Sequence, residues 1–179
     1  MIRKIAIIGN SAGGKTVLAR QLAKLHNLPL THVDSIQFLP GMKIRPHKES
    51  IEALSAIQNS EAWIIDGYGP LDIIEKRFEL ADQVILIDFP LWRHYWWLTK
   101  RQIRNLWSGR EELPEGCKER GLAHTIKLYQ NIRSAHRLMR PELLRILKRE
   151  KHQGKVVYIQ NLEQWRQIFE TGENIPCYR

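Results

Sequence analysis

The stretch that decides the fold is "IAIIGNSAGGKT", Ile5–Thr16. Ile5–Ile8 is an apolar run of strand length that ends abruptly in glycine, the pattern of a strand buried on both faces. From Gly9 the chain reads G-x-x-x-x-G-K-[ST], a phosphate-binding loop. Glycines let the backbone curl so that successive N–H groups converge on one anion. The helix predicted from about Lys15 to His26 presents its positive end to the same point. Lys15 can then reach the outer phosphates, and the Thr16 hydroxyl suits Mg²⁺. Gly9, Asn10, Ser11, Ala12, Gly13, Gly14, Lys15, Thr16 and the adjoining Val17 are the expected ATP cradle.

Outward from this unit, short apolar runs alternate with helical patterns. Leu28–Asp34, Ala62–Gly67, Gln83–Asp88 and Lys155–Gln160 read as further strands. Helices are predicted around Lys48–Gln58, Leu71–Leu80, over much of Leu91–Lys151, and at Leu162–Glu170. Such alternation predicts right-handed crossovers and an α/β fold with a five-stranded parallel sheet covered on both faces. All 179 residues fit one domain, with a helical lid or insert at about 91–125. Ligands of such sheets bind where strands end, so the residues after each strand matter most.

The second strand is followed by Asp34. It is read as a carboxylate orienting an acceptor hydroxyl or a metal-bound water, with a turn or helix-cap aspartate as the plain alternative. The third ends in "DGYG", Asp66–Gly69, where Asp66 is the candidate Mg²⁺-side (Walker B) acid and Gly67 and Tyr68 adjoin the substrate. The fourth also ends in an acid, Asp88, and pattern alone leaves the two ambiguous. Asp66 is preferred through the strand order 2-3-1-4-5 usual in small P-loop kinases, which seats the third strand beside the first.

Apolar content of 43% and charged content of 26% are ordinary for a globular chain, but the net charge of +9 predicts attraction to polyanions. Pro90–Arg110, "PLWRHYWWLTKRQIRNLWSGR", carries five of the cations and no acid. On a helix, Trp92, Trp96, Ile103, Leu106 and Trp107 share a face with Tyr95, read as core or lid-hinge packing. Arg93, Lys100, Arg101 and Arg104 lie beside it or further round. Arg101, Arg104 and Arg110 are the candidates for neutralising phosphate charge during transfer, with Arg93 behind them. Gly109, Pro114, Gly116 and Gly121 would supply bends, as any loop would.

Cys117 and Cys177 lack metal-ligand spacing and read as reduced thiols of a cytoplasmic protein. The N-terminal apolar run is too short for a secretion signal, and no segment has the ~20 apolar residues of a membrane span. The seven histidines show no ligand spacing. Pro141 is expected to break or restart a helix.

The segments "IAIIGNSAGGKTVLARQLA", "THVDSIQFLPG", "WIIDGYG", "RFELADQVILIDFP" and "GR…EGCKERG" resemble the DNA topology modulation (FlaR-related) family, similar to the adenylate and shikimate kinase group. The resemblance runs from Ile5 to about Gly121. It implies a nucleotide-kinase-like fold with ATP on Gly9–Thr16 and adenine near Asn161-Leu162. Adenylate kinases place Pro-Arg after the Asp-Gly-aromatic turn, whereas this chain has Gly69-Pro70. Arg45 and Arg77 could replace that arginine in holding an acceptor phosphate, though each is equally compatible with a solvated surface position.

Together these readings predict an ATP- and Mg²⁺-dependent phosphotransferase of unnamed acceptor. The alternative is a nucleotide-binding regulator of DNA topology that contacts nucleic acid through its basic surface. A third and weaker option, a membrane-surface helix at Leu91–Gly109, requires an exposed tryptophan stripe.

Overall fold

The computed structural model describes residues 2–40, 43–105 and 122–172. Its centre is strand β1 (Lys4–Gly9), which pairs in parallel with β5 (Trp63–Asp66) on one side and β6 (Gln83–Ile87) on the other. Strand β2 (Leu30–His32) extends the sheet beyond β5, and β7 (Val156–Ile159) extends it beyond β6. The order β2-β5-β1-β6-β7 is the 2-3-1-4-5 arrangement expected from the sequence. Register places His32 and Ile7 opposite Asp66, and Gly9 opposite Ile87, so several strand ends meet at one rim.

Alternation along β1 sends Ile5 and Ile7 to one face and Ala6 and Ile8 to the other. The first face packs against Leu18 and Leu22 of α1 (Lys15–His26) and Ile168 of α8 (Leu162–Thr171). The second packs against Leu54 of α3 (His47–Gln58), Phe78 of α4 (Ile74–Leu80), and Leu143 and Leu147 of α7 (Arg140–Leu147). Both faces are thus dry, which is why the strands are continuously apolar rather than alternating with polar residues.

Three local features depart from the sequence reading. The second strand is only three residues long, and Asp34 lies in the first turn of a short helix, α2 (Val33–Gln37), not at the strand end. A two-stranded antiparallel ribbon of β3 (Phe38–Leu39) and β4 (Lys43–Ile44) follows. The long helical region comprises α5 (Leu91–Asn105), α6 (Leu122–Ser134), a π-helical segment (Ala135–Met139) and α7. Pro141 is the second residue of α7 and follows the π segment without a break, so the helix runs on through a residue that has no N–H to donate. The Arg140 N–H bonds back five residues to the Ala135 carbonyl, widening the helix just before the proline.

The tryptophan stripe of α5 requires a correction. Trp92 and Trp96 are 61% and 54% exposed, whereas His94 and Leu98 on the other side are 1% and 0% exposed. Apolar residues occur on both faces of this helix, so periodicity did not say which one the core takes. The buried side is the one that meets Phe89 and the loop after β1. The displayed rings each carry a cation: Arg93 lies over Trp92 and Lys100 over Trp96. Among the described residues no helix is long and apolar enough to cross a membrane.

Candidate nucleotide and acceptor site

The loop between β1 and α1 is shaped by contacts that forbid side chains. A Cβ on Gly9 would stand 2.4 Å from the Ile87 carbonyl oxygen, and its φ is 148°. Gly14 has φ 81°, and a Cβ there would stand 3.2 Å from the Trp165 indole nitrogen. Ala12 also adopts a left-handed conformation, φ 57°, at a cost of about 1–2 kcal/mol for a residue with a Cβ. Several contacts sustain that curl. The Lys15 Nζ donates to the Asn10 carbonyl at 2.8 Å. The Asn10 side chain accepts from the Ser11 N–H and donates to the Ile132 carbonyl, each at 2.8 Å.

A cavity of about 700 Å³ opens above the loop and is lined by Asn10 to Val17. The rim of the sheet contributes His32, Asp34, Asp66, Gly67 and Tyr68. Helix α5 contributes Trp97, Lys100, Arg101 and Arg104, α6 Asn131, the π segment Ala135, and α8 Leu162 and Trp165. The structure therefore brings the loop, Asp34, Asp66, Gly67, Tyr68, Arg101 and Arg104 around one space. Arg110, Cys117, Cys177 and the loop residues Gly109, Pro114, Gly116 and Gly121 lie outside the described residues, as does Leu106–Trp107 of the stripe.

The two candidate strand-end acids have different surroundings. Asp66 is 5% exposed, and its Oδ2 accepts from the Thr16 hydroxyl at 2.8 Å and lies 3.1 Å from His32 Nδ1. Its Oδ1 is buried with no hydrogen-bond partner. Asp88 instead forms a two-pronged pair with Arg140, at 2.6 and 2.7 Å, and this bond holds the Arg140 guanidinium above its usual range. Of the two acids, Asp66 is thus the one that Thr16 touches. A hydroxyl and a carboxylate with an orphaned oxygen are the hard donors Mg²⁺ takes when phosphates and waters complete its shell. Among the described residues no cluster of three or more His, Cys, Asp or Glu forms a metal cage, and Mg²⁺ bound beside phosphates needs none.

Arg45 and Arg77 are not among the described residues lining this cavity. Arg45 donates from Nε to the Ile36 carbonyl at 2.7 Å. Arg77 is 1% exposed and donates from Nη1 to the Gly67 and Tyr68 carbonyls at 2.8 and 3.0 Å. Burial pulls its guanidinium down to about 10. It is neither a solvated arginine nor a cavity-facing one, but a prop beneath the Asp66–Gly69 turn. Burial, assisted by the Asp88 charge, raises the Tyr68 phenol above its usual range.

The chain has the fold of P-loop kinases. It superposes on shikimate kinase from Acinetobacter baumannii with a TM-score of 0.59 at 13% identity, covering 96% of this chain and 94% of that one. A gluconokinase from Sinorhizobium meliloti 1021 gives 0.53 at 13% identity, over 94% and 87% of the two chains. Shikimate kinase from Bacteroides thetaiotaomicron gives 0.51 at 12%, over 95% and 99%. In sequence, 76 residues are 34% identical to tRNA dimethylallyltransferase of Corynebacterium jeikeium (strain K411), 42% of this chain but 24% of that protein. No family model matches the chain, the topology modulation family included.

Sequence reasoning missed several cavity or loop contacts, His32, His94, Asn131 and Trp165 among them. His32 closes the second strand and touches Asp66, and inspection of strand ends could have found it. His94, Asn131 and Trp165 come from helices distant in sequence, and no local motif marks them. Asn161, expected near adenine, caps α8 by accepting from the Gln164 N–H at 2.9 Å. Its neighbours Leu162 and Trp165 are the cavity-lining residues there.

Proposed function

We propose that the chain is an ATP-dependent phosphotransferase acting on a small hydroxyl or phosphate compound. One observation carries the reading: Lys15, the Thr16–Asp66 pair, Asp34 and the cations of α5 border a single cavity. The loop amides and Lys15 hold the phosphates of ATP, and the apolar wall of Leu162 and Trp165 takes the base. Thr16 and Asp66 would hold Mg²⁺, which when bound would neutralise charge on the phosphates. Asp34 accepts the proton of the acceptor hydroxyl while that oxygen bonds to the γ-phosphorus and the bond to the β–γ bridging oxygen breaks, leaving ADP. Arg101 and Arg104 stabilise the charge spread over the transferring group.

The test is ADP release from MgATP with a panel of nucleoside monophosphates and small hydroxylated metabolites. At least one acceptor class should raise the rate, and Asp34→Asn should lower kcat by ~10²-fold or more with ATP affinity retained. An acceptor-independent trickle, unchanged in Asp34→Asn, would remove the reading.

A second reading, a nucleotide-binding regulator that contacts nucleic acid, rests on a different observation. Over Leu91–Asn105 and Leu122–Met139 the chain carries Arg93, Lys100, Arg101, Arg104, Lys127, Arg133 and Arg137 with no Asp or Glu. The partial similarity to a tRNA-modifying enzyme and the resemblance to the topology modulation family are compatible with it. The phosphotransferase is preferred because the cations Lys100, Arg101 and Arg104 line the cavity.

A further inference from the structure

Ser11 and Ala12 share one planar trans peptide, in which C=O and N–H point in opposite directions. Whatever holds the Ser11 carbonyl therefore also aims the Ala12 amide. The holder is His94 of α5, whose Nδ1 lies 2.8 Å from that oxygen. A carbonyl can only accept, so Nδ1 carries the proton. The imidazole is 1% exposed, and its Cε1 lies 3.1 Å from where a Gly13 Cβ would stand. The ring therefore meets the loop at the Ser11 carbonyl and leaves little room for a side chain at Gly13, and it is itself buried. A second tether, from Asn10 to the Ile132 carbonyl, fixes the same loop to α6.

We propose that His94 is a positioning residue of the phosphate cradle: by drawing the Ser11 carbonyl toward α5, it turns the Ala12 N–H to the cavity side. The inference rests on reading Gly9–Thr16 as a nucleotide site, and it adds a coupling. The helix that pins the loop at His94 brings Arg101 to the cavity wall two turns later. The loop that binds phosphate and the cations that face it are therefore set by one rigid element, and a shift of α5 would disturb both together.

Three substitutions separate the hydrogen bond from mere packing. His94→Leu removes the donor, His94→Asn keeps an amide N–H close to the Nδ1 position, and His94→Gln moves it one bond further. Deuterium exchange of the Gly9–Lys15 amides in the free protein reads loop order without nucleotide, and calorimetry reads MgATP affinity. His94→Leu and His94→Gln should exchange faster across the loop and bind MgATP about tenfold more weakly. His94→Asn should stay within about threefold of wild type on both. Should His94→Asn behave like His94→Leu, the role is packing and the proposal falls; unchanged loop exchange in all three overturns it as well. If His94→Leu fails to fold, the Asn and Gln pair still decides. A wild type that binds no MgATP, while loop exchange follows the expected pattern, fails the nucleotide reading and not the brace.

Discussion

At Asp66 one carboxylate oxygen is committed to Thr16 and the other is buried without a partner. An unpartnered buried carboxylate oxygen costs about 1–3 kcal/mol, a cost that a cation bound beside the phosphates would offset. Asp66→Asn should therefore abolish the extra affinity that Mg²⁺ confers on ATP while leaving metal-free ATP binding within about threefold. Titration with and without Mg²⁺ checks this. His152 presents the opposite case, since it is not among the described residues that line the cavity. It is fully buried against Phe78 with both ring nitrogens unpartnered. Burial, with help from Lys155 and Lys151, pushes its pKa below 6.5. Unfolded, it takes up a proton near pH 6.5 while the native form resists. The stability it contributes is therefore present above that pH and lost as pH falls below it. His152→Leu should be at least as stable as wild type at pH 7 and should lose less Tm between pH 7 and 5. An equally steep fall would assign the acid sensitivity elsewhere, His94 being, among the described residues, another buried imidazole whose pKa burial lowers.

Among the elements, α5 is where physical reasoning changes most. Its sequence offers an apolar side that includes Trp92 and Trp96 and another through Leu98, and only the tertiary partner decides between them. Because the loop and Phe89 take the His94–Leu98 side, Leu98→Ala should cost about 2–5 kcal/mol. Trp92→Ala and Trp96→Ala should each cost under about 1 kcal/mol, the scale of an exposed cation–π contact. Denaturant melts distinguish the two cases, and a larger loss at either tryptophan would return the stripe to the core. By contrast the glycine loop and helix α1 were legible because their chemistry is local: strand, curl and helix are contiguous. Asp34 was legible as a residue but not in its setting, since its strand is cut to three residues by the turn into α2. The π segment before Pro141 follows from the proline only once the flanking helices are seen to continue.

For the whole molecule, the parallel sheet with two dry faces follows from alternation and right-handed crossovers, whereas its strand order was expected only from the order usual in small P-loop kinases. What could not be drawn is which distant side chains the sheet gathers. Arg77 reads as either a holder of an acceptor phosphate or a solvated arginine and proves a buried prop, and His94 reads as featureless and proves to touch the loop. The basic surface is a property of the same scale. If the regulator reading holds, duplex DNA or RNA affinity should fall steeply with salt as counterions are released; a flat salt response or no binding at low salt would exclude it. The central claim concerns Gly9–Thr16, and calorimetric titration of MgATP into wild type and Lys15→Ala tests it most directly. The account predicts saturable one-site binding to wild type and a loss of at least tenfold in the variant, the scale of a charge-assisted contact. Equal affinity in the two proteins, or none in the wild type, would contradict it.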